Sequence, residues 1–527
     1  MRFTRRIPAY ATAFVGPRAG LGAPLASWLI VVACTSGCVS METRSRGTVI
    51  AHDELLRNRD HLPQLVADDA DRGLAARAFY AHEVNKSRFF AGISGAPRTG
   101  TAREALPPVF RDVERNFAPQ TTVATAGGPT RGLTMLAAKE PDQLQRQAKQ
   151  DDEAFWIEQR KTDERLESIG KRNLPYQLAL AGRFVISTAE EVQRGLAKHQ
   201  LLISFAVVGD AVYAFRVGRG GMRAQRLRQP AAVLRQWTTE LVVAVRQARG
   251  DDWRALAKRM WLGLFEPFAA EMATAKIVTL VPDGFLANVP FAVLIAPSGQ
   301  LLVEQAAIGY LPSASFYRAL LARPLFAEKP RMLVLGNAIY PQPWQPLPTA
   351  ETEARSVARV FDGSTLLIGR EATEERFVDA IDNHNIFHFA THGMLAGQLA
   401  AQASSLLLTR TDEADGYLTA AELARLDLSR SYLAVLSACE TSVSTDGGGS
   451  LDSISAAFLS AGAPTVIGSQ WQVSDDSTAA LMVDFYAHFL DVGAAEALRA
   501  AQLRLRENKA WQHPFFWAAF VLYGWDK

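Results

Sequence analysis

Two short runs in the second half of the chain end in residues equipped for acyl-transfer chemistry. One reads Ile386-Phe387-His388-Phe389-Ala390-Thr391-His392-Gly393, and the other Tyr432-Leu433-Ala434-Val435-Leu436-Ser437-Ala438-Cys439-Glu440-Thr441. Each is an apolar stretch of strand character that stops at a polar tip. A thiol has an unperturbed pKa of about 8.5 and is a weak nucleophile at neutral pH, so it needs a base beside it. An imidazole supplies that base, and later returns the proton to a leaving amine. Gly393, directly after His392, has no side chain to shield its N–H, and with the N–H of Cys439 it can form an oxyanion hole. The bland alternative is a small buried thiol and a core imidazole that perform no reaction.

Other chemistry is poorly represented. His384, His388 and His392 fall four apart, a metal face on a helix, but their aromatic neighbours argue for a strand, and no acidic or cysteine ligand completes a zinc set. No metal or other cofactor is expected. The chain has no G-x-S-x-G elbow, no Walker A sequence and no H-E-x-x-H, and Gly447-Gly448-Gly449 lacks the spacing of a phosphate cradle.

The elements that must position His392 and Cys439 are legible in the pattern. Leu201 to Val208 and Val212 to Val217 flank Gly209-Asp210 and predict a hairpin. Apolar runs at Ile277–Val281, Met332–Leu335, Ile386–Ala390, Tyr432–Leu436 and Thr465–Ser469 then alternate with helical patterns at 351–361, 373–381, 454–461 and 477–490. Such alternation predicts a mostly parallel sheet covered by helices, with chemistry at the carboxyl ends of its strands. Residues 39–174 read as a mainly helical region with Gly- and Pro-broken linkers, including a charged helix over 139–172, and no helical repeat emerges.

With 527 residues, 48% of them hydrophobic, the chain is long enough for more than one domain and a large core. A net charge of +2 gives no electrostatic reason to bind nucleic acid, and none is expected as a partner. Three cysteines make no disulfide framework. Two of them adjoin an N-terminal segment with Arg2, Arg5 and Arg6 followed by an apolar run at 21–32. That run is short for a membrane span and suits a secretory signal. Val31-Val32-Ala33-Cys34 resembles a bacterial lipobox, and Thr35-Ser36-Gly37-Cys38 is the poorer alternative, so residues 1–38 are expected to be a signal segment and Cys34 the lipidated residue. Thr35 and Ser36 are not acidic, which favours the outer membrane of the bacterial envelope, facing the periplasm. If the segment is spurious the protein is cytosolic, where a free catalytic thiol is more at home than in an oxidising envelope.

The two reactive runs resemble the signature blocks of the CHAT domain, a family of caspase-like cysteine peptidases related to separase and the caspases. The resemblance extends through Val281-Pro282-Asp283-Gly284, Val289-Pro290-Phe291, Leu335-Gly336-Asn337, Leu347-Pro348, Ala457 to Ala463, Ser469-Gln470-Trp471, His513-Pro514 and Trp517 to Phe520, and covers roughly 175–527. It implies a caspase-like α/β/α sandwich with His392 as base and Cys439 as nucleophile, hence a cysteine endopeptidase acting on a protein or peptide. Trp471-Gln472-Val473-Ser474-Asp475 resembles a separase segment that lines the pocket for the residue before the cut. An acid there pairs with Arg or Lys, so cleavage after a basic residue is expected, with Asp475 and Trp471 as pocket residues and Asp283 as a weaker candidate. Asp475 equally fits a cap for a helix starting near Ser477, and Pro282-Asp283-Gly284 fits an ordinary turn. CHAT domains often follow tetratricopeptide repeats. No such repeat occurs here, so a regulatory partner bound through 39–174 is an expectation without a motif. The rival reading is a catalytically idle CHAT-fold module that binds protein.

Overall fold

The computed structural model describes residues 62–71, parts of 73–86, and residues 187–321, 329–340, 344–394, 404–438, 454–472 and 474–524. Its strands are β1 (Gln200–Val208), β2 (Ala211–Gly218), β3 (Gly221–Arg226), β4 (Ile277–Val281), β5 (Ala307–Tyr310), β6 (Met332–Ala338) and β7 (Thr365–Gly369). They continue with β8 (Ile386–Ala390), β9 (Gly393–Met394), β10 (Ser405–Leu407), β11 (Tyr417–Thr419), β12 (Leu433–Ser437), β13 (Thr465–Ser469) and β14 (Phe520–Gly524). The longer helices are α1 (Leu62–Asp71), α2 (Ala189–Gly195), α3 (Ala231–Arg246), α4 (Asp252–Phe265), α5 (Ala314–Leu321), α6 (Pro348–Ala358), α7 (Glu374–Ala380), α8 (Ile454–Ser460), α9 (Asp475–Val492) and α10 (Ala494–Glu507). The charged stretch 139–172 and the three cysteines lie outside the described residues.

Eleven strands form one sheet in the order β3-β2-β1-β4-β5-β14-β13-β12-β8-β6-β7. The predicted hairpin is present as β1–β2, and β3 extends it as a meander. Beyond the hairpin the sheet has two halves. In one, β1, β4, β5 and β14 run parallel; in the other, β13, β12, β8, β6 and β7 run parallel. The halves meet at β13 and β14, which are antiparallel. The carboxyl ends of the two sets of strands therefore lie at opposite ends of the sheet.

Strand β8 shows why the sheet is covered on both sides. All five of its residues are buried, as expected for a central parallel strand. Successive side chains of a strand point to opposite faces. On one face Phe387 and Phe389 meet Phe377 of α7, with ring centroids 5.7 and 5.0 Å apart, and Phe389 also meets Phe458 of α8 at 5.6 Å. On the other face His388 meets Tyr486 of α9 and Glu353 of α6. This is the α/β/α sandwich with a mostly parallel central sheet expected from the sequence. Three short strands, β11-β10-β9, make a separate sheet that begins directly after His392.

The core extends to the N-terminal side of the expected boundary near 174. Val66, Ala67, Ala78 and Phe79 belong to the same hydrophobic cluster as the sheet. Three polar side chains from one short segment then plug into β1, the residue after β4 and the start of α5. His82 Nε2 lies 3.1 Å from Ser204 Oγ of β1, and Lys86 Nζ donates to the Pro282 carbonyl after β4 at 2.6 Å. Glu83 accepts from the N–H groups of Ala314 and Ser315 at 3.1 and 2.7 Å, and so covers the N-terminus of α5. Burial of these groups is tolerated because each one has a partner.

Candidate active site

His392 follows β8 because that apolar run ends at Ala390, and the chain turns there into β9. Its backbone is held by the N–H of Leu407, which donates to the His392 carbonyl at 3.0 Å. Its ring lies among Tyr340, Trp344 and Gln345. The Tyr340 ring stands edge-on to the imidazole with centroids 4.6 Å apart, and the Trp344 ring is tilted against it at 5.0 Å. His392 Nε2 lies 2.8 Å from the Gln345 carbonyl oxygen. A carbonyl can only accept, so Nε2 carries the proton, and in the neutral ring the basic lone pair belongs to Nδ1. Burial pushes the Tyr340 phenol up to about 12, so this wall of the site stays uncharged at neutral pH.

Cys439 lies outside the described residues, but the strand that leads to it does not. β12 pairs with β8 in parallel, and the last matched pair is Ser437 with Ala390. His392 and Cys439 are thus each two residues beyond one register point on adjacent parallel strands. Ala438, just before the cysteine, is buried, and its carbonyl accepts a 2.6 Å hydrogen bond from Ser469 Oγ at the end of β13. Gly393 pairs with Leu406 on β10, flanked by the bond from Leu407 N to His392 O. That makes Gly393–Leu406 the non-hydrogen-bonded type of antiparallel pair, so the Gly393 N–H turns away from β10.

Of the specificity candidates, Asp283 does not come near His392. Asp283 follows β4, five strands from β8 in the sheet order, and the reversal at β13–β14 puts it at the opposite end of the sheet. Its carboxylate is occupied there: it accepts from Val207 N at 2.7 Å and lies 3.5 Å from Lys86 Nζ. Asp283 is therefore a tie between β1, β4 and the N-terminal segment. Trp471 follows β13 with only 1% of its surface exposed, and its indole N–H donates to the Phe515 carbonyl at 3.0 Å, so it packs in the core. Asp475 is the first residue of α9, and Ser474 occupies the N-cap position. The helix starts two residues earlier than the sequence pattern implied, so Asp475 stands in its first turn and is not its cap.

The histidines at 384 and 388 have separate work. His384 bonds the Ala380 carbonyl and Thr365 Oγ1, both at 2.8 Å, while His388 is enclosed in the core. Among the described residues no cluster of three or more His, Cys, Asp or Glu can hold a metal ion. Sequence reasoning missed the clamp of Tyr340, Trp344 and Gln345. The signal available was the Pro-rich sequence Pro341-Gln342-Pro343-Trp344-Gln345-Pro346-Leu347-Pro348 between a strand pattern and a helical pattern.

A mostly parallel sheet between two helical layers, with an imidazole held at a strand tip beside the strand that leads to a cysteine, defines an α/β protein with a candidate site at its strand ends. The CHAT domain profile matches residues 254–525, more than half of the chain, and the protein belongs to the CHAT domain family. Among curated proteins it is similar to human tetratricopeptide repeat protein 28, 30% identical over 299 residues, which cover 47% of this chain and 12% of that protein. The mouse protein of the same name is 29% identical over 298 residues, with the same shares. The chain thus spans a small part of the curated relatives it matches. Among solved structures it is similar to separase in the Saccharomyces cerevisiae separase–securin complex, with a TM-score of 0.44, 12% identity, and coverage of 67% of this chain and 33% of that one. It is also similar to the Arg-specific cysteine proteinase gingipain R, with a TM-score of 0.35, 10% identity, and coverage of 51% and 67%.

Proposed function

We propose that the protein is a cysteine endopeptidase in which His392 and Cys439 form the catalytic dyad. The observation that carries this reading is the orientation of His392: Nε2 is engaged by the Gln345 carbonyl at 2.8 Å, so proton transfer falls to Nδ1. The register of β8 with β12 adds support: its last pair, Ala390 with Ser437, stands two residues before each member of the dyad in the sequence. His392 takes the proton of the Cys439 thiol, and the thiolate adds to the scissile carbonyl. The N–H groups of Gly393 and Cys439 meet the resulting oxyanion. The imidazolium then protonates the departing amine, leaving a thioester. Water, deprotonated by His392, releases the acid and restores the thiol.

The test is labelling with a thiol-reactive peptide probe, together with turnover of a peptide library. Labelling at Cys439 that disappears in His392→Ala, and turnover that disappears in Cys439→Ala, are expected. Full turnover in Cys439→Ala removes the mechanism. Cleavage after Arg or Lys rests on Asp475 alone among the pocket candidates, and an Asp475→Asn variant with unchanged preference and efficiency removes that residue from specificity.

The N-terminal segment adds a lipid anchor at Cys34, with Cys38 as the alternative, which holds the protein to the bacterial outer membrane facing the periplasm. Among the described residues no helix is long and apolar enough to cross a membrane. Two or more acyl chains suffice for stable attachment. Intact mass of the membrane-extracted protein, compared among wild type, Cys34→Ser and Cys38→Ser, decides the anchor; a soluble unlipidated wild type dismisses it. A second reading, a CHAT-fold module that binds protein without cutting it, takes its support from curated relatives named for repeats and not for an activity. Absence of turnover with an intact, probe-reactive Cys439 favours that reading.

A further inference from the structure

Asn337 has three unusual features at once. It is the extra residue of a bulge at the end of β6: pairing with β7 passes from Gly336–Ile368 to Ala338–Gly369 and skips it. Its φ is 42°, a left-handed conformation that few side chains other than Asn accept. Both ends of its side-chain amide are used. Oδ1 accepts from the Leu347 N–H at 2.9 Å, and Nδ2 donates to Glu351 Oε2 in α6 at 3.1 Å. Bulges and strained residues gather beside active sites because they re-aim a side chain that the regular ladder would misplace.

The loop that Asn337 holds is the one that clamps His392. It reads Trp344-Gln345-Pro346-Leu347-Pro348, and the prolines restrict both their own φ and the residue before each of them. Within Pro346-Leu347-Pro348 only Leu347 has a backbone N–H to offer, and Asn337 takes it. Two residues earlier, the Gln345 carbonyl accepts from His392 Nε2. With so little freedom left in the loop, one hydrogen bond at Leu347 sets the position of that carbonyl.

We propose that Asn337 is the positioning residue for His392: through Leu347 it holds the Gln345 carbonyl that selects the imidazole tautomer and fixes the ring. This rests on the reading of His392 as the base. Asn337→Gly accepts the positive φ but removes both side-chain bonds. Exchange of donor and acceptor in Asn337→Asp/Glu351→Gln keeps an acceptor for Leu347 and a bond to α6.

Two measurements on the full chain test the proposal. One is the rate of His392 acylation by diethylpyrocarbonate, followed by peptide mass spectrometry, which needs no peptidase activity. The other is kcat and KM on a cleaved peptide. Asn337→Gly is expected to melt close to wild type, to acylate at His392 several-fold faster, and to lose about tenfold in kcat with little change in KM. The double variant is expected to recover both rates. Wild-type acylation and kcat in Asn337→Gly overturn the proposal, as does a double variant no better than the glycine variant. If wild type cleaves no peptide, the peptidase reading falls, and the acylation rates alone decide Asn337.

Discussion

His388 Nε2 lies 3.2 Å from Glu353 Oε1, with the two side chains 0% and 5% exposed. The contact is within ion-pair range but off the alignment of a hydrogen bond. On its other side, His388 Nδ1 is 3.2 Å from the Tyr486 hydroxyl, whose ionisation is pushed far up by burial and then by the Glu353 charge. The imidazole thus joins β8, α6 and α9 at one point. Buried polar contacts of this kind give little net stability but fix registry, because a slipped packing leaves each group unpaired.

Removal of one partner should therefore cost much more than removal of both. Glu353→Met alone is expected to destabilise by about 3–5 kcal/mol, and His388→Met/Glu353→Met by clearly less than the sum of the singles. Urea unfolding of the four proteins of the double-mutant cycle measures this. Additive losses would mean that the two groups do not interact.

Gly336 lets β6 approach α6. A Cβ at this position would meet the Cβ of Ala354 at 2.5 Å and the Ala350 carbonyl at 3.3 Å. Gly336→Ala is expected to cost about 1–3 kcal/mol by overpacking. Adding Ala354→Gly should recover part of that loss, although glycine inside a helix itself costs about 1 kcal/mol. Melting temperatures of the three variants check the contact, and no recovery in the pair counts against it.

His82 should make the fold sensitive to acid. Burial first, then the charge of Lys86, lowers its pKa from 6.5 to about 3. The unfolded chain then binds a proton below about pH 6.5 that the folded chain refuses until about pH 3, so stability falls as pH drops through that window. At roughly 1.4 kcal/mol per unit the full effect approaches 5 kcal/mol as an upper bound. Glu83, raised by its own burial, acts in the opposite sense, but it is present in both proteins to be compared. Wild type should lose more stability between pH 7 and pH 4 than His82→Gln, in guanidinium melts at each pH. Parallel profiles would rule His82 out as the cause.

Ser469 anchors the residue before Cys439, the nucleophile of the proposed mechanism, through its 2.6 Å bond to the Ala438 carbonyl. A trans peptide is planar, so holding that carbonyl also restrains the bond that leads into Cys439. Ser469→Ala is expected to alkylate with iodoacetamide at close to the wild-type rate but to bind peptide aldehydes about tenfold more weakly, because only the aldehyde adduct needs an oxyanion donor. Equal aldehyde affinity in the two proteins would leave Ser469 a packing role alone.

The sequence by itself determined the class of the protein. Strand-length apolar runs alternating with helical patterns are local signals, readable within a few residues, and they predict a parallel sheet with His392 and Cys439 at its strand tips. The structure has that sheet, with β8 and β12 adjacent. What lay beyond reach were relationships among distant segments. Asp283 and Asp475 each follow a strand in the sequence, but only the antiparallel junction of β13 and β14 sends the end of β4 away from the end of β8. No residue type near β4 encodes that direction. The buried ties of His82, Glu83 and Lys86 span separations of 122 to 232 residues, and the clamp on His392 reaches back 47 residues to a backbone carbonyl, an atom that every residue carries. Local pattern places a side chain on an element. Which other element it meets depends on how the sheet is ordered and on which buried polar groups must find partners, and only the folded chain satisfies both conditions together.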